Sequence, residues 1–119
     1  MVLDTNVVIY LLEGRVTRMP PDPRVGVSIV SEIELLSYDR LDASGDSEIR
    51  AFLETVEIVG LSGEIKEAAI ALRRKHRVTI PDAIIAATSL VLGATLLTND
   101  EKLAAVSGLN CQSVALREA

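Results

Sequence analysis

The chain has 119 residues, is 49% hydrophobic and carries a formal net charge of −5. That size suits one domain over residues 1–119 with a core large enough to need no disulfide or structural metal. A lone Cys111 excludes a disulfide scaffold and a zinc finger, and the acidic balance opposes non-specific nucleic-acid binding. With Tyr10, Tyr38 and Phe52 as the only aromatic residues, a base-stacking platform is also disfavoured.

Met1-Val2-Leu3-Asp4 lacks a basic leader, so no secretory signal is read there and a cytoplasmic location is expected. Val2-Leu3 is a short apolar strand. Asp4-Thr5-Asn6 offers an N-cap, and Val7, Val8, Tyr10, Leu11 and Leu12 follow at mostly helical spacing. A proline-rich loop, Met19-Pro20-Pro21-Asp22-Pro23, leads to a second strand over 25–29 and a helix over 30–38. A further helix is predicted over 44–55, capped by Ser44 or Asp46, then a third strand over 56–61. Helices over 63–75 and 81–92 follow, with Gly93 ending the second, then a strand over 94–98 and a fifth over 111–116. The uncharged run over 83–99 is broken by Gly93 and is too short to span a bilayer, for which about 20 residues are needed. No membrane association is expected.

Short apolar strands alternating with helices predict an α/β fold: a three-layer sandwich around a parallel sheet of about five strands. Ligands of such sheets bind beyond the carboxyl ends of the strands. Carboxylates stand there: Asp4 after the first strand, Glu32 and Glu34 one turn beyond the second, and Asp100 after the fourth. Asp82 opens an otherwise uncharged helix. If Asp4, one glutamate, Asp82 and Asp100 converge within about 5 Å, each pair repels by about 3 kcal/mol at an effective dielectric near 20. Such a cluster must hold protons or a cation, and an all-oxygen set suits Mg²⁺ or Mn²⁺ better than zinc. Each acid also has an ordinary role open to it. Asp4 and Asp100 can cap helices, and Asp82 can complement a helix dipole.

Leu3-Asp4-Thr5-Asn6, the run from Ser28 to Leu36, Asp82-Ala83-Ile84-Ile85-Ala86-Ala87 and Leu96-Leu97-Thr98-Asn99-Asp100 together resemble the four motifs of PIN domains, in the family's order. The resemblance covers residues 1 to about 103 and extends to VapC-like toxins of toxin-antitoxin pairs. It implies a Mg²⁺- or Mn²⁺-dependent endoribonuclease that acts on RNA, is neutralised by a small antitoxin protein and pairs with itself as a homodimer. The metal-binding and catalytic acids it implies are Asp4, Glu34, Asp82 and Asp100, with Asn6 and Thr98 as polar supports. Glu34 is preferred to Glu32 because Ser28, Ser31, Glu34 and Leu35 reproduce the family's pattern. The two glutamates lie about 200° apart around a helix, so both cannot face one site. A PIN-like scaffold that acts by binding alone is the competing function; its mark would be a missing acid, and all four are present.

Two basic features remain. Arg15 and Arg18, just past the first helix, are candidates for RNA contact near Asp4. Arg73-Arg74-Lys75-His76-Arg77 is the one dense basic run. It reads either as cations favoured at a helix C-terminus or as a contact for RNA phosphate or a partner.

Overall fold

A computed structural model describes residues 1–118; Ala119 lies outside the described residues. Five strands form one sheet: β1 (Val2–Leu3), β2 (Gly26–Ser28), β3 (Glu57–Val59), β4 (Leu96–Leu97) and β5 (Cys111–Gln112). Their order is β3-β2-β1-β4-β5, and every pairing is parallel. The helices are α1 (Thr5–Leu12), α2 (Ile29–Leu36), α3 (Ala43–Leu53), α4 (Gly63–Lys75), α5 (Ile80–Leu92) and the short α6 (Glu101–Ala104).

Side chains alternate across a strand, and here that alternation builds two cores. Val2 and Leu96 point to one face, where they meet Ile65, Leu72, Ala83 and Leu103 from α4, α5 and α6. Leu3 and Leu97 point to the other, against Val7, Val8, Leu35 and Ile49 from α1, α2 and α3. The three layers expected from the sequence are therefore present. Leu3, Leu96 and Leu97 are fully buried, each contributing about 1.5–3 kcal/mol by leaving water. Burial on both faces is why these strands read as unbroken apolar pairs rather than as alternating ones.

Local chemistry moves several boundaries. Ser28, expected within a strand, ends β2 and caps α2, its Oγ accepting from the Val30 N–H at 3.1 Å. That helix stops at Leu36 rather than Tyr38, because the Ser37 hydroxyl donates back to the Ile33 carbonyl at 2.6 Å and the turn closes. The cap of α3 is Asp42, not Ser44 or Asp46; its Oδ1 accepts from the Gly45 N–H at 2.7 Å. β5 ends at Gln112 instead of Leu116. Beyond it the Val114 N–H and C=O are taken by the Asn99 side chain, at 2.8 and 3.1 Å, and Leu116 pairs with Val16 in an isolated antiparallel bridge. Among the described residues no helix is long and apolar enough to cross a membrane.

Strand β1 is central, with β2 and β3 on one side and β4 and β5 on the other. The connections leaving β1 and β4 thus diverge, opening a crevice at their carboxyl ends.

Candidate active site

The crevice is lined by the starts of helices. Asp4 follows β1 directly and caps α1: its Oδ1 accepts from the Thr5 N–H at 2.8 Å. Its Oδ2 accepts from the Thr98 hydroxyl at 2.7 Å. With only 6% of its surface exposed, Asp4 is the one buried carboxylate among the described residues. Thr98 is itself buried and sits directly after β4, where its Oγ1 also accepts from the Asp100 N–H at 3.0 Å. Its single proton is committed to Asp4, so the hydroxyl has one orientation. Asp100 in turn caps α6, accepting from the Lys102 N–H at 2.8 Å. The clasp between Asn99 and Val114 ties this segment to the chain beyond β5.

Asp82 enters from the first turn of α5. Thr79 caps that helix through the Asp82 N–H at 3.3 Å, and Pro81 stands in the first turn, where no N–H is required. Glu34 enters from α2 on the other side. The Thr5 hydroxyl donates to its Oε1 at 2.8 Å and lies 2.8 Å from the Ser31 hydroxyl. Because the one proton of Thr5 goes to Glu34, Ser31 must be the donor to Thr5. Thr5 thus joins two acids, holding Asp4 through its backbone and Glu34 through its side chain.

The electrostatics follow from burial and like charge. Burial pushes the Asp4 carboxyl above its usual value, and the negative charges of Asp82 and Asp100 add to that; the bonds from Thr98 and Thr5 oppose it. Asp82 is raised by burial first and by Asp100 second, against the Thr79 hydroxyl and the Lys102 cation. Asp4, Asp82 and Asp100 therefore share one local field. None of the four acids makes a salt bridge among the described residues, where the paired acids are Asp22, Glu13, Glu57 and Asp46.

The pattern of the PIN domain family matches residues 1–109. The chain belongs to the PIN domain family. Its fold is similar to a chain of a toxin-antitoxin complex from Klebsiella pneumoniae, at 28% identity and a TM-score of 0.77, covering 91% of this chain and 93% of that one. It is also similar in fold to VapBC2 from Rickettsia felis bound to a DNA fragment from its promoter, at 21% identity, a TM-score of 0.78 and coverage of 95% and 97%. VapBC-1 from nontypeable Haemophilus influenzae gives 23% identity, a TM-score of 0.75 and coverage of 94% and 96%. No curated protein sequence matches the chain.

In this PIN domain the expected residues are distributed unevenly. Asp4, Asp82 and Asp100 stand within one another's field, Glu34 is linked to Asp4 through Thr5, and Thr98 bonds Asp4. Glu32 instead lines a depression with Arg50, Leu53 and Glu54 at the end of α3. Asn6 is exposed, and no hydrogen bond among the described residues ties its side chain to the acids. Arg15 is not brought to Asp4. It lies beyond the far end of α1, where its guanidinium is occupied by the Arg117 carbonyl at 3.3 Å, by Glu13 at 3.7 Å and by the Tyr10 ring at 5.3 Å. Arg18 is exposed, and no hydrogen bond or ion pair among the described residues joins it to the acids. As the side chains stand, no three of the described His, Cys, Asp or Glu residues surround one point closely enough to hold an ion. The all-oxygen donor chemistry of the four acids fits a hard divalent cation. Sequence reasoning missed the bridging role of Thr5 and the cation Lys102; only the hydroxyl beside Asp4 hinted at the first.

Proposed function

We propose that this PIN domain is the toxin component of a toxin-antitoxin pair and a metal-dependent endoribonuclease. The observation that carries the reading is the arrangement around Asp4: a buried carboxylate, fixed by Thr98 and Thr5, in the field of Asp82 and Asp100 without a cationic partner bonded to it. Such concentrated negative charge is costly to a fold unless function uses it. Asp4, Asp82, Asp100 and Glu34 would hold Mg²⁺ or Mn²⁺, which would supply a lowered water pKa and polarisation of a phosphate.

The chain's own part is positioning. Thr98 orients Asp4, Thr5 orients Glu34 while accepting from the Ser31 hydroxyl, and the positive charge of Lys102 acts on Asp82. The antitoxin partner is supported by the toxin-antitoxin complex from Klebsiella pneumoniae, together with an apolar groove along α1 and α2. Exposed Ile9, Leu12 and Tyr38 line that groove, which ends at Thr5 and Glu34, so an antitoxin segment laid in it would cover the mouth of the site. Self-pairing, implied by the resemblance to VapC-like toxins, belongs to the same reading and is measured by light scattering.

The test is cleavage of total and transfer RNA with Mg²⁺, Mn²⁺ or chelator, beside Asp4→Asn and Asp82→Asn. Metal-dependent cleavage lost in both variants supports the nuclease. No cleavage and no Mn²⁺ binding by calorimetry would favour a PIN-like module that acts by binding alone, a reading that draws on the spread of the four acids.

A further inference from the structure

Arg73, Arg74, Lys75 and Arg77 are all exposed. They place a charge of +4 within five positions of a chain whose net charge is −5, leaving −9 on the rest. None of them makes a salt bridge among the described residues, although Arg15, Arg24 and Arg50 do. The helix dipole explains cations in the last turn of α4, but that effect falls off within a turn. It does not explain Arg77, which lies past the cap residue His76. The Arg73 Nε donates to the Val78 carbonyl at 3.2 Å, fixing the end of α4 to the segment that enters α5. Arg73, His76 and Arg77 then line a shallow depression with Thr79, the cap of the helix whose first turn carries Asp82. Even a fully extended link would put the α-carbons of Arg77 and Asp82 no more than about 18 Å apart.

We propose that this strip is the track on which the phosphate backbone of the RNA substrate lies as it leaves the acid site over the start of α5. The proposal rests on the nuclease reading. A polyanion approaching a surface that is otherwise acidic needs a local positive track, because affinity for nucleic acid comes largely from neutralised phosphates. Arg74 and Arg77 supply it next to the start of α5, whose first turn carries Asp82 and no basic residue.

The test separates binding from cleavage. Affinity of a labelled single-stranded RNA oligonucleotide is measured by anisotropy in chelator, across a salt series, for the full chain and for Arg74→Glu/Arg77→Glu. Each lost phosphate contact shallows the slope of log K against log salt by about 0.7 for a single strand, so the pair should lose about 1.4. Arg40→Glu/Arg117→Glu makes the same change of net charge elsewhere and should keep the wild-type slope. Circular dichroism checks the fold, and Arg74→Gln/Arg77→Gln serves if the reversal unfolds.

An unchanged slope, equal weakening by both pairs, or no RNA binding by the wild type would overturn the track. So would unchanged RNA binding with loss of polyglutamate binding, which would assign the strip to an acidic protein partner. The two readings fail separately. Wild-type cleavage with Mn²⁺ and an unaffected slope removes the track alone, whereas a strip-dependent slope without cleavage removes the nuclease alone.

Discussion

The Thr98 hydroxyl donates to Asp4 Oδ2 at 2.7 Å while accepting the Asp100 N–H at 3.0 Å, so one buried oxygen sets the position of two acids on neighbouring strands. Thr98→Val keeps the shape and removes both bonds. Leaving buried polar groups unpaired costs about 1–3 kcal/mol, read as a lower Tm. Removing a group that orients a metal ligand costs about 10–100-fold in metal affinity or activity, and Mn²⁺ titration with RNA cleavage should show it. Thr98→Ser should restore both, whereas a valine variant with wild-type Mn²⁺ affinity would remove the positioning role.

Thr5 makes a prediction of a different kind, because its hydroxyl serves Glu34 while its backbone serves Asp4. Thr5→Val should cost about 1 kcal/mol of stability and lower cleavage by about 10–100-fold, with Thr5→Ser close to wild type. Equal cleavage by the valine and serine variants would mean that the link to Glu34 has no catalytic use.

Glu32 and Glu34 are separated by their surroundings rather than by their chemistry. Glu34→Gln should reduce cleavage at least tenfold if Glu34 is a metal ligand, while Glu32→Gln, in the depression lined by Arg50 and Glu54, should stay within about twofold. The reverse pattern would move the glutamate ligand to Glu32.

Asp4 gives a pH dependence with a definite sign. Burial first, and the charges of Asp82 and Asp100 after it, hold its carboxyl above 3.8 in the folded chain. A carboxyl that keeps its proton longer when folded contributes stability that is fully present below the unfolded value and lost as pH rises through the folded one. Asp4→Asn does not titrate and still accepts at its amide oxygen. Thermal unfolding across pH should therefore show the variant gaining on the wild type as pH rises from 3.8 towards neutrality. A constant gap would refute the shift.

A bound cation should reverse that deficit. Mn²⁺ at a hundred times its Kd should stabilise the wild type by about 2.7 kcal/mol and leave Asp4→Asn and Asp82→Asn nearly unmoved at the same concentration. An equal rise in all three Tm values would show a non-specific effect.

Much of this arrangement is legible in the residues because acids and strand ends are local features. Val2-Leu3 before Asp4, Leu96-Leu97 before Thr98, and Thr79-Ile80-Pro81-Asp82 at the head of an uncharged helix each announce their element and their carboxylate. What escaped depends on contacts between distant segments. The Thr5 bond to Glu34 spans 29 positions and the Asn99 clasp on Val114 spans 15, and no periodicity reports either. Arg15 looked available for RNA because a sequence does not reveal that α1 carries it away from Asp4 and onto the Arg117 carbonyl. The end of α2 was overrun because Ser37 bonds back to Ile33, a choice the apolar spacing does not record.

Asp4 and Asp100 each spend one carboxylate oxygen on starting a helix, and Asp82 lies in a helix's first turn. The same side chains are thus part of the scaffold and part of the site, which limits how their chemistry can be removed cleanly. Alanine at Asp4 or Asp100 deletes a helix start with the charge, so a dead variant of that kind confounds misfolding with loss of function. Asparagine keeps an oxygen for the cap and removes the charge, although at Asp4 its NH2 group replaces the oxygen that accepts from Thr98. An inactive but properly folded form, suited to trapping a partner or an uncut substrate, is better made with the amide than with alanine.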